Sequence, residues 1–401
     1  MSKQLTLGYI SNSPLAYEGE TYRSKSGHWN YVEKVSELFD KVDVFARVKK
    51  VDKSNNKYRR RVNIENANFH DISKKSMNRK NRGSIAENIK RFRYILERSK
   101  SWSFGFYMAP GWAALMGTLA SKVHDIPYAT CFRGEWDGVV KNRIEEKYNS
   151  RTFKNIVKFP IKFIQYMILK NANIKMTEGY VLVGKYKSIN RKEVIPTLTS
   201  DLSKKDFAQK SKKHAKSKIK ISWVGSMISR KRPFMAIKVI KKINKKCKHN
   251  VEIEMIGDGV RKKELERKIR KMGIEGMTNV RGYISDKSRL LEVIKKCDIH
   301  LVTSDSEGFP RVIWEAQSQH VPVVSTRVGG VPELLEDRAE VMLASDDSVE
   351  SLTNCVKKLI ENTQLRSKIA KKGYRRAKKF VSNKRMGRVI NSFKKEIRKI
   401  K

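Results

Sequence analysis

The chain has 401 residues, 39% of them hydrophobic, enough apolar material to enclose two ordinary cores, so two domains are expected. Its 88 lysines and arginines against 41 acidic residues leave a formal charge of +47, which calls for an anionic partner: nucleic acid, an acidic membrane surface or an acidic acceptor. Cys131, Cys247, Cys297 and Cys355 lie far apart with no Cys-x-x-Cys pair, which sets aside a disulfide framework or a thiolate metal site and leaves buried free thiols; internal repeats are absent.

In chain order, Leu5 to Ile10 reads as a strand and is too short an apolar run for a signal peptide. A polar loop, Ser11 to Ser26, leads to a helix over 27–40 and a strand over 42–48. Helix entry at Gly27 places backbone N–H groups beside the end of the first strand, and His28 is a cap or a base. Lys49 to Lys80 is basic and weakly periodic, a solvated insertion or part of an acceptor or membrane surface. No charge occurs between Lys100 and Lys122, but Pro110-Gly111 divides this stretch, so it reads as a buried strand (Phe104 to Met108), a small-residue helix (Trp112 to Val123) and a strand (Tyr128 to Phe132), not a membrane span. The polar groups of Arg133, Glu135 and Asp137 should emerge at that last strand's C-terminal end, where Arg133 can neutralise a phosphate or bind hydroxyls. Residues 151–170 interleave lysines with large apolar side chains, the pattern of an anionic membrane interface or of an ordinary helix packed on the first domain. Tyr180 to Val183 reads as the last strand of a first domain, 1–196, and the polar, basic stretch 197–217 as a linker.

The second domain, 218–375, opens with a strand over 219–224 and a glycine-led basic turn carrying Gly225, Ser226, Arg230, Lys231 and Arg232, suited to a diphosphate. A helix over 234–243 and a strand over 251–256 follow, and then Gly257-Asp258-Gly259, whose glycines admit close backbone approach. A helix over 262–272, the Val280-Arg-Gly-Tyr-Ile284 segment and a helix over 287–297 lead to the stretch from Leu301 to His320. There an apolar run ends in a polar loop, Pro310 stands where a helix can begin, and a second apolar run, 321–324, comes after it. Such a strand–turn–helix junction of a parallel α/β sheet directs helix N–H groups into a crevice that suits a phosphate. Glu307 and Glu315 flank the junction with seven residues between them, and each carboxylate can accept two hydroxyl protons from a ribose or hexose diol.

Glu307-Gly308-Phe309-Pro310, Glu315-Ala316, the Val321 to Val324 strand and Gly329-Gly330-Val331-Pro332-Glu333 resemble the Glu-x7-Glu signature of the retaining glycosyltransferases of family four. The resemblance covers nearly all of 218–337 and implies the GT-B fold: two facing Rossmann-like domains with parallel sheets and an interdomain cleft, and a last helix, within 376–401, that returns to the first domain. It implies that Glu307 binds the donor sugar, Glu315 the ribose, and the backbone from Gly308 through Phe309, Pro310 and Arg311 the sugar and diphosphate. It further implies nucleotide-sugar contacts from Gly27, Gly225, Ser226, Arg230, Gly257, Gly259, Gly282 and Tyr283, and catalytic roles for Glu307, Lys231 and Arg133. Two departures stand out: Ser226 replaces the family's usual arginine, and Arg133-Gly134 stands where a histidine and glycine are common.

The expectation is therefore a cytoplasmic enzyme, peripheral on the inner face of the cell membrane, that moves a sugar with retention from a UDP- or GDP-linked donor to a glycan or lipid-linked hydroxyl in cell-envelope synthesis. Lys231 and the helix start would stabilise the departing diphosphate, with neither a metal nor another cofactor. The competing readings are a basic nucleic-acid-binding protein and a sugar phosphorylase or sugar-phosphate synthase on the same fold.

Overall fold

The structure, a computed structural model, describes residues 4–19, 21–24, 29–51, 60–72, 85–109, 111–132, 163–177, 194–196, 202–209, 218–247, 249–381 and 384–400. The chain divides into two compact units, Met1–Thr199 together with Asn383–Lys401, and Ser200–Ser382.

In the first unit the described elements are β1 (Thr6–Ile10), β2 (Leu15–Glu18), β3 (Thr21–Ser24), α1 (Trp29–Ser36), β4 (Lys41–Ala46), β5 (Val48–Lys50), β6 (Arg60–Arg61), β7 (Ala67–Asp71), α2 (Ile85–Ser99), β8 (Phe104–Ala109), α3 (Trp112–Val123), β9 (Tyr128–Phe132), α4 (163–170), β10 (Ile174–Thr177) and β11 (Val194–Pro196). Seven strands pair in the order β11-β10-β9-β8-β1-β4-β7, every described pairing parallel. All six residues of β8 are buried, as expected of a central parallel strand covered on both faces. Gly8 is required on β1 because a Cβ there would lie 2.1 Å from the Trp102 ring, and Trp102 Nε1 donates to Asp43 Oδ2 at 3.0 Å.

Residues 11–26, expected to be a loop, instead contain the β2–β3 hairpin, which joins β5 and β6 in a small separate sheet. Leu15 and Ala16, successive residues on opposite faces of β2, are both buried, and the Tyr22 ring stacks on Phe69 at 3.9 Å, so a largely polar hairpin is held by a few apolar side chains. Likewise β6, β7 and all but the first residue of β5 fall inside 49–80, the stretch expected to be a solvated insertion or part of an acceptor or membrane surface. The helix expected over 27–40 spans only 29–36 among the described residues, and the strand expected at 180–183 lies outside them. Among the described residues no helix is long and apolar enough to cross a membrane.

The second unit holds β12 (Lys218–Val224), α5 (Pro233–Lys246), β13 (Asn250–Ile256), α6 (Lys262–Met272), β14 (Thr278–Gly282), α7 (Lys287–Lys295), β15 (Ile299–Val302), α8 (Val312–Ser318), β16 (Val323–Ser325), α9 (Val331–Leu334), β17 (Met342–Leu343), α10 (Val349–Glu361) and α11 (Thr363–Val381). Its parallel sheet runs β14-β13-β12-β15-β16-β17. Numbered from its own first strand this is the doubly-wound order 3-2-1-4-5-6, whose direction reverses between β12 and β15. Ile221, Ile253, Ile299 and Leu301 pack with Ile237 and Ile240 of α5 and with Leu352 and Val356 of α10 in the core. Residues 202–208, inside the stretch expected to link the units, are fastened to this one: Asp206 Oδ2 accepts from Ser203 N at 2.6 Å and from Lys287 Nζ at 2.7 Å, and Ala208 N donates to Ser318 O.

The last helix, α12 (Lys384–Ile400), belongs to the first unit, where Phe393 is fully buried against Phe104 and Phe106 at 5.4 and 5.5 Å. With Trp29, Val32 and Val35 of α1 it covers one face of the seven-stranded sheet, while α2, α3 and α4 form a separate core with Tyr107 and Phe132.

Candidate active site

The two loops leaving β12 and β15 meet where the strand order reverses, because those strands are hydrogen-bonded neighbours although nearly eighty residues separate them. The β12 loop rests on the one after β13. Gly225 N donates to Ile256 O at 3.0 Å, and Met227 N to Asp258 O at 2.9 Å. A Cβ on Gly257, at φ 148°, would fall 1.9 Å from Gly225 O, and one on Gly259 would fall 2.6 Å from Met227 O. Both glycines are thus needed for loop-on-loop packing. Gly282 joins the same stack by accepting from Gly257 N at 2.7 Å, while Tyr283 and Ser226 are exposed.

Past this contact the chain makes a tight turn over 229–231 and enters α5 through Arg232, which takes a left-handed conformation (φ 48°) ahead of Pro233. Two groups hold the turn: Thr303, which the sequence did not single out, and Arg232, expected to face a diphosphate but engaged here with two carboxylates. Thr303 Oγ1 accepts from Trp223 Nε1 at 3.0 Å and donates toward the carbonyls of Lys231 (2.8 Å) and Arg232 (3.0 Å). The Arg232 guanidinium bridges Asp305 and Asp347 at 3.4 and 3.2 Å.

So fixed, Lys231 extends to Glu307, with Nζ 2.6 Å from Oε1, while Arg230 Nη1 lies 3.9 Å from Oε2. Only 13% of the lysine side chain and 11% of the glutamate side chain are exposed, so the pair is largely desolvated. Burial holds the Lys231 ammonium below its ordinary range, with Arg230 and Arg311 adding to the shift and Glu307 opposing it. Desolvating two charges costs about as much as their attraction returns, so such a pair is poorly explained by folding stability alone. Beneath it His300 on β15 is fully buried, with Nδ1 2.9 Å from Ser222 Oγ.

The Glu307 loop is fixed from the other side by Gly329-Gly330. Gly330 N donates to Gly308 O at 2.8 Å, and Gly329 sits at φ 54° where a Cβ would be 2.0 Å from Glu307 O. Gly329→Ala is therefore expected to push the Glu307 backbone away and to lower the unfolding midpoint of the second unit by several degrees, as about 1–3 kcal/mol of strain would do. Calorimetry of the variant checks this.

The helix expected to begin at Pro310 begins at Val312, with Pro310 and Arg311 forming its entry turn. It is seven residues long, so its dipole is short and charge on a ligand falls mainly to Lys231 and the flanking arginines. Phe309 is buried and stacks on Trp314, which stacks on Phe380 of α11 (4.8 and 4.2 Å), so its ring belongs to the core and its backbone is what a ligand can reach. Glu315, one turn into α8, is partly buried. Gly27, His28 and Arg133 lie outside the described residues, as do Glu135, Asp137 and residues 151–162.

Residues 204–376, nearly the whole second unit, match the family described as Glycosyl transferases group 1. Protein CapJ of Staphylococcus aureus is 26% identical over 376 residues, covering 90% of this chain and 88% of CapJ. The Campylobacter jejuni enzyme named GalNAc-alpha-(1->4)-GalNAc-alpha-(1->3)-diNAcBac-PP-undecaprenol alpha-1,4-N-acetyl-D-galactosaminyltransferase is 24% identical over 161 residues, 40% of this chain and 44% of that one. The crystal structure of Anabaena HepE in complex with UDP-glucose superposes on 99% of this chain and 100% of its own with a TM-score of 0.63 at 14% identity. The fold is GT-B, and the second unit carries the match to a glycosyltransferase family.

Proposed function

We propose that the chain is a retaining glycosyltransferase of family four, moving a sugar from a nucleoside diphosphate donor to a hydroxyl of a glycan or lipid-linked acceptor in the synthesis of an envelope glycoconjugate. The observation that carries the reading is the buried Lys231–Glu307 pair at the switch point between β12 and β15. As the bond between the anomeric carbon and the diphosphate oxygen breaks, negative charge grows on the phosphate; the ammonium of Lys231, which has two N–H donors beyond the one Glu307 takes, and the Arg230 guanidinium are the groups to receive it. Glu307 serves the sugar side, its carboxylate favouring positive charge at the anomeric carbon and accepting from ring hydroxyls. Glu315 binds the ribose. The second unit holds the donor and the first unit the acceptor.

UDP-glucose bound to HepE favours a uridine donor as the first to test, ahead of a guanosine one. Thermal unfolding against UDP, GDP and their sugars is expected to show a rise with one base and not the other. Glu315→Ala should weaken binding of that nucleotide about tenfold or more, the range for a lost charged hydrogen bond to a hydroxyl. Proton NMR of the first-formed product, read by its anomeric coupling, tests retention: an inverted product overturns it.

A further inference from the structure

The packing of α3 is inverted relative to an ordinary surface helix. Its small residues Ala113, Ala114, Gly117, Ala120 and Ser121 are buried, and Gly117 is pressed so closely on β8 that a Cβ would lie 2.7 Å from the Tyr107 ring. Of its large apolar residues, Trp112 and Val123 are each 61% exposed and Leu119 is exposed, while Leu115 and Met116 between them are half-buried and pack against the edge of the core that α3 shares with α2 and α4. At spacings of 0, 3, 4, 7 and 11 these five form one stripe about 16 Å long at 1.5 Å per residue.

The neighbouring helices also expose large apolar side chains. α2 packs on α3 and exposes Ile89, while α4, in the same core layer, exposes Phe163 at 54%. Folding alone would be served by polar residues at these positions, since an exposed apolar side chain contributes nothing to burial. Charge identifies what covers the face. α3 carries no acidic residue, Lys90 and Arg93 stand exposed beside Ile89, and Lys122 stands beside Val123. On α2, Glu87 is buried and Glu97 is engaged by Lys100 at 2.8 Å; past the end of α3, Asp125 is exposed, and against it stand Lys90, Arg93 and Lys122, so the exposed charge beside the apolar stripe is mainly positive.

We propose that the α2–α3 face of the first unit docks on an anionic lipid surface, inserting Trp112, Leu119 and Val123 among the acyl chains while Lys90, Arg93 and Lys122 meet phosphate headgroups. An apolar stripe rimmed by cations is the arrangement that binds a bilayer by insertion and charge together. The inference stands on packing and charge, so it survives or fails independently of the transfer reaction proposed above.

The test is flotation of the full chain with phosphatidylcholine vesicles, with and without phosphatidylglycerol. Binding is expected only when phosphatidylglycerol is present. The triple variant W112S/L119S/V123S should lose about a hundredfold or more of its partition coefficient, because three large exposed side chains would no longer enter the bilayer. The charge variant K90E/R93E/K122E should lose a similar amount, at about tenfold or less per position. All six side chains are exposed or at a helix surface, so unfolding midpoints should match the parent within a few degrees, and a second readout does not depend on them. Brominated lipid should quench tryptophan emission of the parent and quench W112F markedly less. Equal flotation of the serine variant, or equal quenching in W112F, would overturn the proposal. So would sedimentation showing a dimer that the serine variant converts to monomer, since the stripe would then be covered by a second copy.

Discussion

Glu307→Gln is expected to lower the rate of sugar transfer about a thousandfold while nucleotide affinity changes less than about threefold. The substitution keeps the volume of the side chain and leaves an amide oxygen to accept from Lys231 Nζ, so the 2.6 Å contact can persist without the negative charge. What is lost is the carboxylate that the proposed reaction uses beside the anomeric carbon. Glu307→Ala is a poorer probe. It strips the partner from a lysine whose side chain is only 13% exposed, and breaking one side of a buried pair costs on the order of 3–5 kcal/mol, so inactivity in that variant would mix catalysis with folding. A double variant, K231M/E307Q, separates the two further. Removing both charges also removes their desolvation, so the unfolding midpoint should recover relative to Lys231→Met alone while transfer stays lost. Transfer at the parent rate in Glu307→Gln, or recovered transfer in the double variant, would assign the pair to folding instead.

The second unit was legible because its inner strands carry large buried apolar residues at alternating positions: Ile219 to Val224 and Val251 to Ile256 differ from β12 and β13 by one residue at the start. The first unit was less so, for reasons of burial. β7, Ala-Asn-Phe-His-Asp, is an edge strand with no fully buried residue, and the β2–β3 hairpin has only Leu15, Ala16 and Ser24 buried, so neither shows an apolar run. β10, Ile-Lys-Met-Thr, carries a lysine and is four residues long. Within the site, the motifs around Glu307 and Gly225 could be read locally, but the contact of Lys231 with Glu307 depends on strand order, which no local pattern contains. The same holds for Thr303, whose hydroxyl receives Trp223 and supports the Lys231 turn from a different strand. The glycines are the converse case. Gly257 and Gly259 are visible in sequence as a ligand-approach signal, yet the Cβ clashes show that their first requirement is contact with the neighbouring loop.

His300 should make the second unit's stability fall as the solution is acidified from pH 6.5, well above the range in which carboxylates titrate. Its ring is fully buried, Nε2 has no hydrogen-bond partner among the described residues, and burial, with Lys231 adding repulsion, pushes its pKa down to about 3 from an ordinary 6.5. Above pH 6.5 both folded and unfolded chains carry a neutral imidazole, so the group adds no pH dependence. Between pH 6.5 and 3 the unfolded chain binds a proton that the folded chain refuses, so stability drops by up to about 1.4 kcal/mol per pH unit and levels off below the folded pKa. Asp206, whose carboxyl is lowered by Lys287 and Ser203 against the opposing effect of burial, also loses stability in acid, but its window begins near the ordinary aspartate value, lower than that of histidine. A non-titrating variant, His300→Gln, isolates the contribution. Its stability at pH 7.5 will be lower than the parent's through altered packing, which is why the slopes rather than the values are compared. Denaturant titrations at pH 7.5, 6.0 and 5.0 should show the parent losing about 2 kcal/mol over that range and the variant losing about 1 kcal/mol or less. Parallel slopes would mean that the imidazole accepts its proton in the folded state, with water or a rearranged Ser222 reaching Nε2 beneath the Lys231–Glu307 pair.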